Sequence, residues 1–118
     1  VLQPNRKTIS SFCAADKPQC VVVRYVPKRV GLLRRRQDVV ELLDSKLGDA
    51  SPVERFTLRE FRQFCNSAHD ILPEADGYRI GDLRYDADEW TMFLRGCTHG
   101  DFKLPNVIQR RRMESLSV

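Results

Sequence analysis

Cys65-x-x-x-His69 and Cys97-x-His99 set two thiol–imidazole pairs in one short chain, and each could give two ligands to a tetrahedral Cys₂His₂ metal site. The remaining spacings argue against zinc. Cys13 and Cys20 are seven residues apart, and no C-x-x-C occurs. Cys65 follows Phe64 on the apolar face of an expected helix, where a buried free thiol is the simpler outcome. Whether Cys65, His69, Cys97 and His99 approach one another is left open by the spacing. A nucleophilic cysteine fares no better. Cys97-Thr98-His99 falls at the C-terminal end of an expected helix, where the dipole favours imidazolium and disfavours thiolate. Asp82, Asp86, Asp88 and Glu89 suggest a metal or acid/base site, but carboxylates in a first helical turn are explained by capping and the dipole. No phosphate loop, nucleophile elbow, H-E-x-x-H or dinucleotide-binding glycine pattern is present. The expectation is a protein that is not an enzyme, with no cofactor and no metal.

Cations make the other chemistry. The 118 residues carry a net charge of +4, with fifteen Arg against five Lys. Guanidinium groups suit bidentate contacts with carboxylate or phosphate. Arg24, Lys28, Arg29, Arg34, Arg35 and Arg36 lie within thirteen residues, and Arg110, Arg111 and Arg112 form a second run near the end. One reading is a solvated face with ion pairs to Asp38, Glu41 and Asp44. The sharper reading is a contact surface for an acidic partner protein or for nucleic acid, in which phosphate contacts would give affinity without sequence choice. No recognition-helix pattern aimed at base edges accompanies it.

The elements that must position these groups follow from pattern. CVVVRYV (20–26) is rich in β-branched residues and stops at Pro27, which reads as a strand. RVGLLRR (29–35) reads as its hairpin partner or as part of a long helix; the preferred division is a strand followed by a helix. That helix is expected to be capped by Asp38 with Glu41 three residues on, to have VVELL as its body, and to stop at Gly48. FTLREFRQF (56–64) and YDADEWTMF (85–93) repeat one grammar. In each, Thr57 or Asp86 caps a helix, Glu60 or Glu89 reaches back to the cap, and Phe56 with Phe61 or Tyr85 with Trp90 forms a hydrophobic staple. PVERF (52–56) and YRIGDLRY (78–85) are expected as strands leading into the two helices, which end at Pro73 and at Gly96 or Gly100.

Several stretches resemble a small actinobacterial domain family of unknown function. SSFCAADKPQCVVV (10–23) is similar to its opening, LDSK (43–46) to its central R-D-S-K, and LRYDADEWTMFLRGCTHGDF (83–102) to its ending, E-W-x-x-F-[LV]-x-G-x-x-x-G-E-F. Genes for that family neighbour those for Xre-type helix-turn-helix regulators of the WhiJ kind. The resemblance implies a small regulatory partner of a DNA-binding protein and no catalytic residues. This chain departs from the pattern in lacking the opening tryptophan, in being basic, and in writing the strand-to-helix half twice, by duplication or by insertion from about 37 to 76.

The expected fold is therefore α+β: a small antiparallel sheet of hairpins with short helices packed on one face. It is one domain, or two fused half-units of about 6–72 and 76–104, with a tail from 105 to 118. Phe56, Phe61, Phe64, Tyr85, Trp90, Phe93 and Leu94 are its expected core. No apolar run approaches a membrane span of ~18 residues, and no secretory signal pattern opens the chain. The expected setting is the cytoplasm with no membrane partner, and there Cys13 and Cys20 are expected as thiols. A repeat within one chain can imitate a dimer's symmetry or build a homodimer.

Overall fold

VVELL is a strand, not a helix. In the computed structural model, residues 1–13 and 20–105 are described, and their elements run in chain order. They are β1 (Lys7–Thr8), β2 (Val21–Val26), β3 (Arg29–Val30), β4 (Arg35–Arg36), β5 (Val39–Asp44), a 3-10 segment (Ser45–Ala50) and β6 (Glu54–Thr57), followed by α1 (Leu58–Ser67), a 3-10 turn (Ala68–Asp70), β7 (Tyr78–Ile80), β8 (Leu83–Tyr85) and α2 (Ala87–His99). The expected run Arg110 to Arg112 lies outside the described residues.

The main sheet is antiparallel with order β1-β2-β5-β6. β5 is central, pairing with β2 from Val21↔Asp44 to Val26↔Val39 and with β6 from Val39↔Thr57 to Leu42↔Glu54. A strand covered on both faces needs no alternation, so its apolar run imitates a helix body. Asp38 and Glu41, spaced like a capping box, are instead held by partners from other strands: Asp38 accepts from the Tyr25 hydroxyl and Glu41 from Arg24. The 29–35 stretch is likewise neither one strand nor helix. It folds on itself as the two-residue hairpin β3–β4, pairing Arg29↔Arg36 and Val30↔Arg35. YRIGDLRY breaks at Gly81–Asp82 into the hairpin β7–β8, so only LRY leads into α2.

Residues paired across antiparallel strands share a face. Val21, Val23 and Tyr25 of β2 with Val40 and Leu42 of β5 make the apolar face, on which Phe61 of α1 and Trp90 and Phe93 of α2 pack. This is the small α+β architecture, with helices on one sheet face. Phe61, Tyr85, Trp90 and Phe93 are buried, while Phe56, Phe64 and Leu94 pack partly buried against them. Trp90 is stacked between Tyr78 and Tyr85, with ring centroids 5.4 and 6.1 Å away.

Both repeated corners form as their spacing predicts. Thr57 Oγ1 accepts from the Glu60 N–H at 3.1 Å while Glu60 accepts from the Thr57 N–H at 2.8 Å. In the twin, Asp86 accepts from the Glu89 N–H at 2.7 Å and Glu89 accepts from the Asp86 N–H at 3.3 Å. The staple rings Phe56–Phe61 and Tyr85–Trp90 each stand 6.1 Å apart. α2 ends at Gly100, in the left-handed conformation that favours glycine. Gly96 serves packing instead: a Cβ there would come within 2.8 Å of the Phe102 ring.

Candidate functional site

The cation cluster expected from sequence divides into two sets. Arg24 lies on the sheet face opposite the helices, where its guanidinium donates to Glu41, which Arg55 also approaches at 3.3 Å. Arg36 donates through Nε to Asp38 at 2.6 Å and through Nη2 to the Tyr25 hydroxyl at 3.0 Å. Burial alone would lower the Arg36 pKa, but these two hydrogen bonds outweigh it and raise it. Burial and the Asp38 carboxylate together raise that of Tyr25. Asp38 also accepts from the Lys28 backbone N–H at 3.1 Å, so its oxygens are fully engaged. Arg24 and Arg36 therefore hold strands in place.

Lys28, Arg29, Arg34 and Arg35 belong to the second set, on the β3–β4 hairpin. Its turn is closed by the Arg34 N–H donating to the Gly31 carbonyl at 3.1 Å, and the Gln37 N–H donates to the Lys28 carbonyl at 2.8 Å. Gly31 takes φ 79 and Arg34 φ 52, which makes the chain reverse tightly. At the apex stand Leu32 and Leu33, 103% and 78% exposed. Among the described residues none of these four cations has an acidic partner within salt-bridge reach; the Arg29 side chain only donates to the Arg34 carbonyl at 3.2 Å. The hairpin is a convex knob with an apolar tip and cationic flanks.

A second cluster escaped the reading of spacings. Lys46 Nζ lies 2.9 Å from Asp44 Oδ2 and 3.1 Å from Glu89 Oε1, and donates to the Arg84 carbonyl at 3.1 Å. The two carboxylates are almost wholly buried. Burial would lower the Lys46 pKa, yet its hydrogen bonds to Asp44 and Glu89 raise it. Burial raises that of Glu89 against the pull of Lys46. Beside them, the Tyr85 hydroxyl donates to the Leu43 carbonyl at 2.7 Å, and burial pushes that phenol well above its ordinary range. LDSK and the E-W ending, singled out as motif stretches, meet at this lysine. No local spacing signals this contact, because Lys46 and Glu89 lie 43 residues apart.

The thiols and imidazoles separate. Cys65 and Cys97 interact with each other and line one cavity of about 390 Å³ with Arg62 and Lys103. The Cys65 thiol and burial raise the Cys97 pKa far above the usual thiol range, which makes it a poor nucleophile. His69 and His99 line a different, open cleft of about 500 Å³ with Phe12, Leu94 and Thr98. Phe12 meets His99 edge to face at 5.4 Å. Asp101 sits 3.0 Å from His99 Nδ1 and accepts from both the N–H and the hydroxyl of Ser11 at 2.8 Å. Burial opposes ionisation of Asp101, but these donors outweigh it and lower its pKa. Among the described residues no three His, Cys, Asp or Glu side chains gather as a metal site. Cys13 and Cys20, expected as free thiols, are joined in a disulfide with Cα atoms 6.6 Å apart. The fold brings them together: Cys20 is anchored at the start of β2 by its N–H donating to Ser45 Oγ at 2.7 Å, and Ser11 is fixed to Asp101. No helix among the described residues is long and apolar enough to cross a membrane.

Comparison of the chain with family models, with curated proteins and with solved structures finds no match.

Proposed function

We propose that the chain is a non-enzymatic regulatory protein. It docks on an Xre-type helix-turn-helix transcription factor and shifts it between DNA-competent and DNA-incompetent states, in development or specialised metabolism. The observation that carries this reading is the contact of Lys46 with Asp44 and Glu89. It joins two of the three stretches on which the likeness to the regulator-associated family rests, LDSK and the E-W ending, in one lock whose carboxylates are buried. Charged residues spent on each other serve the architecture, and the docking surface lies elsewhere. The open cleft edged by Phe12, Leu94 and Thr98 offers a seat for an apolar helix face of the regulator.

Isothermal titration of the chain into a purified Xre-type helix-turn-helix regulator from the same organism tests the reading, followed by operator binding of that regulator with and without the chain. A stoichiometric complex that changes operator affinity about fivefold or more is the expected result, the usual lower range of coupling between sites. Absence of heat together with unchanged operator affinity overturns it.

A further inference from the structure

The hairpin from Lys28 to Arg36 makes no use of its own tip. Leu32 and Leu33 are 103% and 78% exposed, side by side at the centre of the turn that the Arg34 N–H closes on the Gly31 carbonyl. Two fully solvated leucines are costly surface unless something else covers them. Lys28 and Arg29 lead into the tip along one strand, and Arg34 and Arg35 lead away along the other. No Asp or Glu occurs from 27 to 37. The nearest carboxylate, Asp38, is already engaged by Tyr25, Lys28 and Arg36. The tip therefore carries four unneutralised cations, two on each side of an apolar wedge.

That arrangement has a complement. Duplex DNA presents two phosphate rails on either side of a minor groove about 6 Å wide, with stacked base edges at its floor. Arg29 pairs with Arg36 and Arg35 with Val30, so Arg29 and Arg35 project from opposite faces of the ribbon, and a ribbon entering the groove edge-on directs them to opposite rails. Proteins that bind the minor groove commonly insert an apolar side chain, leucine among them, at a base step, and neutralise the flanking phosphates. An acidic lipid surface also favours cations behind an apolar tip, but it gives no reason for placing them in two flanking pairs.

We propose that the β3–β4 hairpin is a minor-groove wedge for duplex DNA, with Lys28, Arg29, Arg34 and Arg35 on the phosphates and Leu32 and Leu33 at a base step. This contact belongs to the chain itself and does not require the regulator.

The experiment is fluorescence anisotropy of the full chain with a labelled duplex of about 20 base pairs containing deformable TA steps, over roughly 50 to 200 mM salt, with 2-aminopurine at one step to report unstacking. The expected salt slope from four phosphate contacts is about −3.6. Arg34→Ala with Arg35→Ala should make that slope shallower by about 2. Leu32→Ala with Leu33→Ala should leave the slope unchanged and abolish the 2-aminopurine signal. All four side chains are exposed at the hairpin tip, so these variants keep the fold, checked by their unfolding midpoints. Failure to bind the duplex at the lowest salt overturns the proposal. So does binding that both double variants retain unchanged, or binding to vesicles of phosphatidylserine and phosphatidylcholine without binding to the duplex. Because the isolated chain is used, none of these outcomes depends on whether the regulator binds.

Discussion

Lys46 Nζ stands 3.1 Å from Glu89 Oε1, across 43 residues of sequence. The contact ties the segment after β5 to the first turn of α2, and Glu89 is at once a partner of Lys46 and the back-reaching member of its helix's capping box. One carboxylate thus fixes both the start of a helix and its seat on the sheet. Removing the cation strands two buried carboxylates, Asp44 and Glu89.

Lys46→Met is accordingly expected to cost about 3 kcal/mol, the lower end for breaking a buried pair because Lys46 is itself one-third exposed. The loss should depend on pH. Glu89 has a raised folded pKa, so its protonated form favours the folded state at pH below its unfolded value, and that contribution is lost as pH rises through the folded value. Lys46, also raised, keeps its contribution until pH climbs past the ordinary lysine range. Without the lysine the Glu89 carboxylate becomes harder to ionise, so the variant's deficit should shrink in acid. Urea unfolding of both proteins near pH 7.5 and pH 4.5 measures the difference, and an equal deficit at the two pH values contradicts the account.

Trp90 gives a prediction from the repeat itself. The ring is buried among Tyr78, Tyr85, Phe64 and Phe93, yet its Nε1 has no acceptor among the described residues. A buried unsatisfied donor costs about 1–3 kcal/mol. Phe61 occupies the same place in the twin corner and is equally buried. Trp90→Phe therefore removes packing and an orphaned donor together, and its net cost should stay below about 2 kcal/mol, whereas Trp90→Ala should cost about 3–5 kcal/mol. Thermal or urea unfolding of the pair decides it.

The twin corners show how far local pattern reaches. Thr57 with Glu60 and Asp86 with Glu89 are complete within four residues, so every partner that makes the motif is visible in the sequence, and both helix starts were legible to the residue. β5 is the opposite case. Asp38 and Glu41 carry capping-box spacing, but Tyr25, Arg36, Arg24 and Arg55 satisfy them from other strands, and only the register of the sheet reveals that. The hairpin around Leu32 and Leu33 was obscured by the same feature that makes it a candidate site. RVGLLRR reads as a hairpin partner or as part of a long helix, and only the three-dimensional turn shows that its leucine pair faces water.

The Cys13–Cys20 bond closes a short loop on the N-terminal side of β2, with a sequence separation of seven. Chain-entropy reasoning gives about 2.5 kcal/mol for a loop this short. Cys13→Ser with Cys20→Ser should lower the unfolding free energy by that amount or less, and dithiothreitol should do the same to the parent chain while leaving the double variant unaffected. Cys65→Ser provides the control, since that thiol is free. A reductant effect that survives in the double variant would show that the bond is not its source.

Arg24 and Arg35 were equal members of one cation run, and the fold assigns them opposite duties. The Arg24 guanidinium donates to Glu41, a buried carboxylate whose other cation, Arg55, is largely exposed and farther away at 3.3 Å. Arg24→Ala leaves that carboxylate poorly matched and should cost about 1–3 kcal/mol. Arg35 is exposed on the hairpin with no acidic partner among the described residues, so Arg35→Ala should change stability by no more than about 0.5 kcal/mol. Duplex binding should rank them the other way. Arg35→Ala should reduce the salt slope by about 1 and weaken binding, while Arg24→Ala, measured where it remains folded, should leave the slope unaltered. Urea unfolding and the salt series on the same two preparations test both halves. If the variants behaved alike in both measurements, the division of the cluster into ion pairs that hold strands and free cations that make contacts would be wrong.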